Sequence, residues 1–275
     1  MSDLNEIQLD DGTVRRLGNI IPPTTAMRFT WTEYGATPAA PLVPRDQWLD
    51  LIKGFGDGPD YPFLPSVHDQ NGVGQCNCDS TTALAESCRM SQGLEYVQLS
   101  AADLYDRING GTDNGSLLED AMAEMERNGV GTAATCGTIW KRGMKTATSA
   151  ERARFRALEV FLCPTYQHCM SAVLSGFRLS SGIMWYDNYT PGADGWLPRP
   201  KGRSGGHAVF GYKPAMRMVN GQPEYGIWHQ NSWGPKWGLG GRCVFPESSY
   251  VGNIGGWWAV RVMTDEGGVI PIPTS

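Results

Sequence analysis

Residues 70–93 read QNGVGQCNCDSTTALAESCRMSQG, a glycine-punctuated polar turn followed by about four helical turns that stop at Gly93. From Cys76 onward, small and apolar residues recur on one side (Cys76, Ala83, Leu84, Cys88), the spacing of a helix with a buried face. Cys76 stands where the turn ends and the helix begins, and Cys78 lies inside the first turn. A cysteine at a helix start gains a positive field and unpaired amide groups, both of which favour a thiolate. Three readings of the two cysteines are open from this stretch alone: a nucleophile, a metal clip, or small core residues.

Outward from that helix, the signals stay helical from about residue 48 to 145. Ser100 is placed to cap AADLYDRI with Asp103 three residues on, and a further helix is expected from Ser116, with Glu119 at the capping-box position, to Asn128-Gly129. One or two helices are expected between about 149 and 175. After them FRLSSGIMWY, HAVFGYK, EYGIWHQ, GRCVFP and WWAVRVM are short, rich in β-branched and aromatic residues, and bounded by Gly and Pro, which predicts an antiparallel sheet. A helical lobe of about 60–145 and a β-rich lobe of about 146–265 make an α+β domain over 46–275, with a cleft between lobes as the natural place for a site. Residues 1–45 read differently: a hairpin signal at Asp11-Gly12 flanked by Ile7, Leu9 and Val14, then a Pro-rich stretch with isolated Trp31 and Tyr34. They are expected to form an arm that packs on the body or docks on a protein partner.

The chain's 275 residues, 41% hydrophobic with 19% charged, are a globular composition long enough for a full core. A net charge of −5 with no basic run gives no footprint for nucleic acid or an anionic membrane. No apolar stretch approaches the roughly 18 residues that cross a bilayer. The N-terminus carries acids where a Sec-type signal peptide needs bases, so the expected location is cytoplasmic or particle-associated. Seven cysteines at irregular spacing predict mostly free thiols. Neither Cys76-x-Cys78 with His68 nor Cys163 with His168 and Cys169 has the paired spacing of a structural zinc site, so no metal and no other cofactor is expected.

A thiol nucleophile needs an imidazole and a group to orient it. Of four histidines, His68 and His168 have undistinguished surroundings. His207 heads a predicted strand in SGGHAVFGYK, beside small residues that would admit a ligand, and Asn231 ends another in HQNSWGPKWGLGG. Four blocks, in order, resemble the papain-like cysteine peptidases. Gln70 lies six residues before Cys76 as Q-x-x-x-G-x-C; Leu99-Ser100 and DNGSLLEDAM match the second block; GGHAVFGY carries the histidine; and QNSWGPKWGLGG carries the asparagine. Cys76 to His207 spans 131 residues, within the roughly 130 to 150 of this signature. The resemblance covers about residues 60–263 and is nearer to bacterial and viral members without the usual propeptide and disulfides.

What the resemblance implies is a two-lobed fold and a thiol hydrolase, an endopeptidase acting on peptide or protein substrates. Cys76 would be the nucleophile, His207 the base and then the acid, and Asn231 its orienting partner. Gln70 and the backbone N–H of Cys76 would bind the oxyanion. Asn114, Gly115 and Ser116 would offer backbone to an extended substrate, with Gly206 beside the histidine and Trp233 shielding it. Asn77 stands where the family has an aromatic, which predicts a looser cleft wall. The alternative is a weak or inactive papain-like body serving as a structural or binding module, with a thiol acyltransferase or deamidase as a third use of the same machinery.

Overall fold

The computed structural model describes residues 6–8, 12–20, 42–250, 256–265 and 268–269. The hairpin at the N-terminus forms, β1 (Glu6–Gln8) pairing antiparallel with β2 (Val14–Arg16). Gln8 faces Val14, so the connection is longer than a two-residue Asp-Gly turn. Trp31, Tyr34 and the Pro-rich stretch expected to dock on a partner lie outside the described residues. The chain re-enters at Leu42 and reaches α1 (Trp48–Lys53), whose Trp48 is buried edge-on to Tyr166 and Tyr225.

The helix expected at Cys76 is α2 (Cys76–Ser91), with every residue from Cys76 to Arg89 buried. Such a helix is the core rather than a cover for it. Next come α3 (Ala101–Ile108), capped as expected by Ser100 accepting from the Asp103 amide, and α4 (Leu118–Arg127). The fourth helix does not open at Ser116: its cap position is Leu117, whose apolar side chain cannot cap, and the Ser116 hydroxyl accepts from Asn77 instead. Arg107 binds α3 to α4 through Glu124 at 2.6 Å. Two short helices follow, α5 (Ala133–Cys136) and α6 (Ser149–Ala153).

The second half contains β3 (Ala157–Leu162), α7 (Tyr166–Leu174), β4 (Leu179–Tyr186), β5 (Ser204–Val219), β6 (Gln222–Gln230), β7 (Arg242–Pro246), β8 (Trp257–Asp265) and β9 (Gly268–Val269). The stretch read as one or two helices thus also holds β3, which forms because Val160 and Phe161 meet Val260 and Ala259 of β8. The sheet is antiparallel in the order β3-β8-β4-β5-β6-β7, with β9 pairing β8. α2 packs against β5 and β8 on one side and against α3 and α4 on the other. One apolar cluster surrounds α2 with Leu84, Leu104, Met122 and Met125; a second, aromatic one fills the sheet side with Trp48, Trp185, Trp233 and Trp257. The architecture is therefore the expected two-lobed α+β. All seven cysteines are free thiols. Among the described residues no helix is long and apolar enough to cross a membrane.

Candidate active site

Strand pairing brings His207 and Asn231 together. Phe210 of β5 lies opposite Gln230, the last residue of β6, so Asn231 leaves the sheet beside the head of β5. His207 Nε2–H donates to Asn231 Oδ1 at 2.8 Å, and the same oxygen accepts from the Ser232 amide at 2.8 Å. A ring held this way keeps Nδ1 as its basic nitrogen. That atom is buried and makes no hydrogen bond to a described residue. Trp233 stacks on the imidazole at 4.9 Å and 28°, and Trp185 meets it edge-on at 5.2 Å.

Cys76 opens α2; Cys78 N and Asp79 N donate to the cap carbonyl of Gln75 at 2.9 and 3.0 Å, so the Cys76 and Asn77 amides are the ones the helix leaves without a partner. The helix packs against β5, the strand that carries His207. Gln70 is fixed from the other lobe: its amide donates to Ser232 O at 2.9 Å, and Gly234 N donates to His68 O at 3.0 Å. Its side chain accepts from Ser232 Oγ at 2.7 Å, leaving Nε2 to donate to Val73 O at 2.7 Å and Arg16 O at 3.0 Å. Cys76, His207, Asn231, Gln70, Gly206 and Trp233 thus converge on one cleft.

That cleft is filled by the chain's own residues 14–20, here called the strap. Ser116 N donates to Gly18 O at 2.9 Å and Ile20 N to Ser116 O at 2.8 Å, a parallel bridge between Asn19 and Ser116. Asn19 N donates to Gly206 O at 3.1 Å, and Asn19 Nδ2 to His207 O at 3.3 Å. Arg16 anchors the strap on Asp113 at 3.0 Å, a carboxylate also held by Gly74 N at 2.9 Å and Tyr105 Oη at 3.0 Å. Backbone approaches so closely that a Cβ on Gly18 would stand 2.0 Å from Gly74 O, and one on Gly115 (φ +84°) 2.3 Å from Gly18 O. Of the three residues expected to receive a strand, Gly115 and Ser116 meet the strap. Asn114 is exposed and turns to Thr112 Oγ1 at 3.2 Å. Nothing in RRLGN marked Gly18 or Asn19 as cleft residues, since a backbone-paired strap carries no side-chain pattern.

No protein-family model matches the chain, and no curated protein matches its sequence. Solved structures do match in shape. Xylellain, a cysteine protease from Xylella fastidiosa, shares 17% identity over 89% of this chain and 95% of that one, with a TM-score of 0.64. Procathepsin B S9 from Trypanosoma congolense shares 16% over 89% and 85% (TM-score 0.62), and procathepsin L 3 of Tenebrio molitor larval midgut 15% over 94% and 77% (TM-score 0.58). The fold is papain-like.

In this papain-like cleft Cys76 and His207 are both fully buried. Burial pushes the Cys76 thiol up to about 12, although the N–H groups of Ala208 and Gly18 oppose it. Burial likewise drives His207 down to about 4 against the pull of the Asn231 hydrogen bond. At neutral pH the closed cleft therefore holds a neutral thiol and a neutral imidazole.

His68, read as undistinguished, is buried between two carboxylates of α2: Nδ1 to Asp79 Oδ1 at 3.2 Å and Nε2 to Glu86 Oε1 at 3.5 Å. Burial opposes its charge, but Glu86 and the Asp79 hydrogen bond outweigh it and raise His68 to about 10. The imidazolium ties α2 to the 68–70 segment that carries Gln70. Because the folded value lies above the unfolded one, near 6.5, this stabilisation is full below about pH 6.5 and is lost as pH rises through about 10. His68→Ala should cost about 3–5 kcal/mol at pH 6, since it strands two buried carboxylates. Denaturant melts at pH 6, 8 and 10 check this, with the gap between wild type and variant narrowing as pH rises; a gap constant with pH would rule out a charged His68.

Proposed function

We propose that the chain is a cysteine endopeptidase that cleaves extended peptides through a Cys76 thioester. One observation supports this above the others: His207 commits Nε2 to Asn231 and leaves Nδ1 unpaired, on the strand β5 that packs against α2, the helix Cys76 opens. With the strap displaced, Nδ1 takes the thiol proton and the thiolate adds to the scissile carbonyl carbon. Gln70 Nε2 and the Cys76 N–H receive the developing oxyanion, the kind of preorganised donor pair that supplies a large share of such catalysis. Collapse breaks the C–N bond, and His207 Nδ1–H protonates the departing amine. His207 then takes a proton from water, whose oxygen adds to the thioester carbon and releases the acid and the thiol. Gly115, Ser116 and Gly206 pair with the substrate backbone, and Trp233 keeps water from the His207 and Asn231 pair.

The filled cleft favours a second reading, a papain-like body held shut and used as a structural or binding module. Both are tested by treating the full-length chain, with the strap loosened by Gly18→Leu, with a peptidyl epoxide and mapping the adduct by mass spectrometry. The peptidase reading expects one adduct per chain, on Cys76. A folded protein that takes no adduct, or takes it on another cysteine, would move the assignment to the scaffold.

A further inference from the structure

Asn77, the residue after the nucleophile, was expected to loosen the cleft wall. It does the opposite. It is fully buried in the first turn of α2, and its Nδ2 donates to Ser116 O at 2.6 Å and to Ser116 Oγ at 3.1 Å. Ser116 is the residue whose N–H and C=O both pair with the strand lying in the cleft. Its carbonyl has two lone pairs, one taken by Asn77 from behind and the other by Ile20 N from the cleft. Gly115 is held in the same manner, its N–H donating to Tyr105 Oη at 2.9 Å. The Asn77 Oδ1 is buried with no hydrogen-bond partner among the described residues. An amide with an idle buried acceptor is a costly way to fill space. Packing alone does not account for it, whereas fixing the Ser116 carbonyl does.

We infer that Asn77 is a positioning residue that sets the substrate-pairing edge at Ser116 at a constant distance from the thiol one residue away. The inference rests on the peptidase reading for its kinetic consequence, but not for its geometry. With Asn77 present, a peptide N–H finds the Ser116 carbonyl already aimed. With Asn77 gone, the carbonyl can rotate, and each extended ligand must order it on binding. The effect falls on reagents that pair as a strand and spares those that meet only the thiol.

The test compares Asn77→Leu, similar in size but with no donor, with the parent in full-length chains carrying Gly18→Leu. Two rates of Cys76 alkylation are measured: with a peptidyl epoxide, which needs strand pairing, and with iodoacetamide, which does not. The expected result is a fall of about tenfold in the first, the worth of one peptide hydrogen bond, with the second unchanged. Equal falls in both rates would reduce Asn77 to a general structural role, and no fall in either would remove it from the site; each overturns the inference. Asn77→Ala, which also loses the donor, replaces the leucine variant if that does not fold. Amide exchange of Ile20 in chains without the Gly18 change gives a readout that needs no chemistry at Cys76. Faster exchange in the Asn77 variant supports the positioning role even if the parent never reacts with the epoxide, and unchanged exchange refutes it.

Discussion

Replacing His207 by alanine should lower peptide turnover by about 10²- to 10⁴-fold in a full-length chain with the strap loosened, the usual range for losing a general base and acid. The loss should fall on kcat, because His207 offers no side-chain hydrogen bond to a strand in the cleft; strand contacts at this position use backbone carbonyls, His207 O to Asn19 Nδ2 and Gly206 O to Asn19 N. Nδ1 is the nitrogen that matters: Nε2 is committed to Asn231, whose oxygen is held in turn by the Ser232 amide. Steady-state kinetics on a quenched peptide would show the split. A variant that kept kcat within a few-fold of its parent would place the base elsewhere and undo the assignment of His207.

Loosening the strap should act in the opposite direction. Gly18→Leu cannot be housed where a Cβ already meets the Gly74 carbonyl at 2.0 Å, and backbone on both sides leaves no flexible side chain to yield. As water returns, the Cys76 thiol should fall from about 12 towards its ordinary value of 9.0. At neutral pH that change multiplies the thiolate by about 10³, and the weaker nucleophilicity of a more acidic thiolate returns about half of the exponent, for a net gain of about 30-fold. Iodoacetamide labelling of Cys76 across pH 6–10 checks it. The alkaline limb should shift down in the variant, and identical profiles would show that the strap does not shelter the thiol.

Much of this molecule was legible because its signals are local. The turn into α2, the Ser100 cap and the β segments follow from residue type and spacing, and Gln70, Cys76, His207 and Asn231 sit in recognisable blocks whose order matched. What stayed hidden depends on pairing between distant segments. β3 needs β8 to be a strand. The start of α4 falls at Leu117 and not at Ser116, whose hydroxyl accepts from Asn77, 39 residues earlier. His68 carries no motif, and only folding sets it between Asp79 and Glu86. The strap was the least readable: it binds almost wholly through main chain, and Gly18 earns its place by having no side chain.

The direction in which the strap lies has a consequence for how long the molecule can remain silent. Gln70 Nε2 donates to the carbonyl of Arg16, whereas the carbonyl of Gly18, two residues on, is turned to the Ser116 N–H on the other wall. On the peptidase reading, the strap therefore spends the Arg16 carbonyl on the residue proposed to bind the oxyanion and the Gly18 carbonyl on the edge proposed to receive substrate. A strap held by its carbonyls on both walls keeps the cleft filled through main-chain bonds that any strand entering the cleft must replace. On that reading, release would need the strap to be displaced and not cut, and the same hydrogen bonds would be there for it to close again.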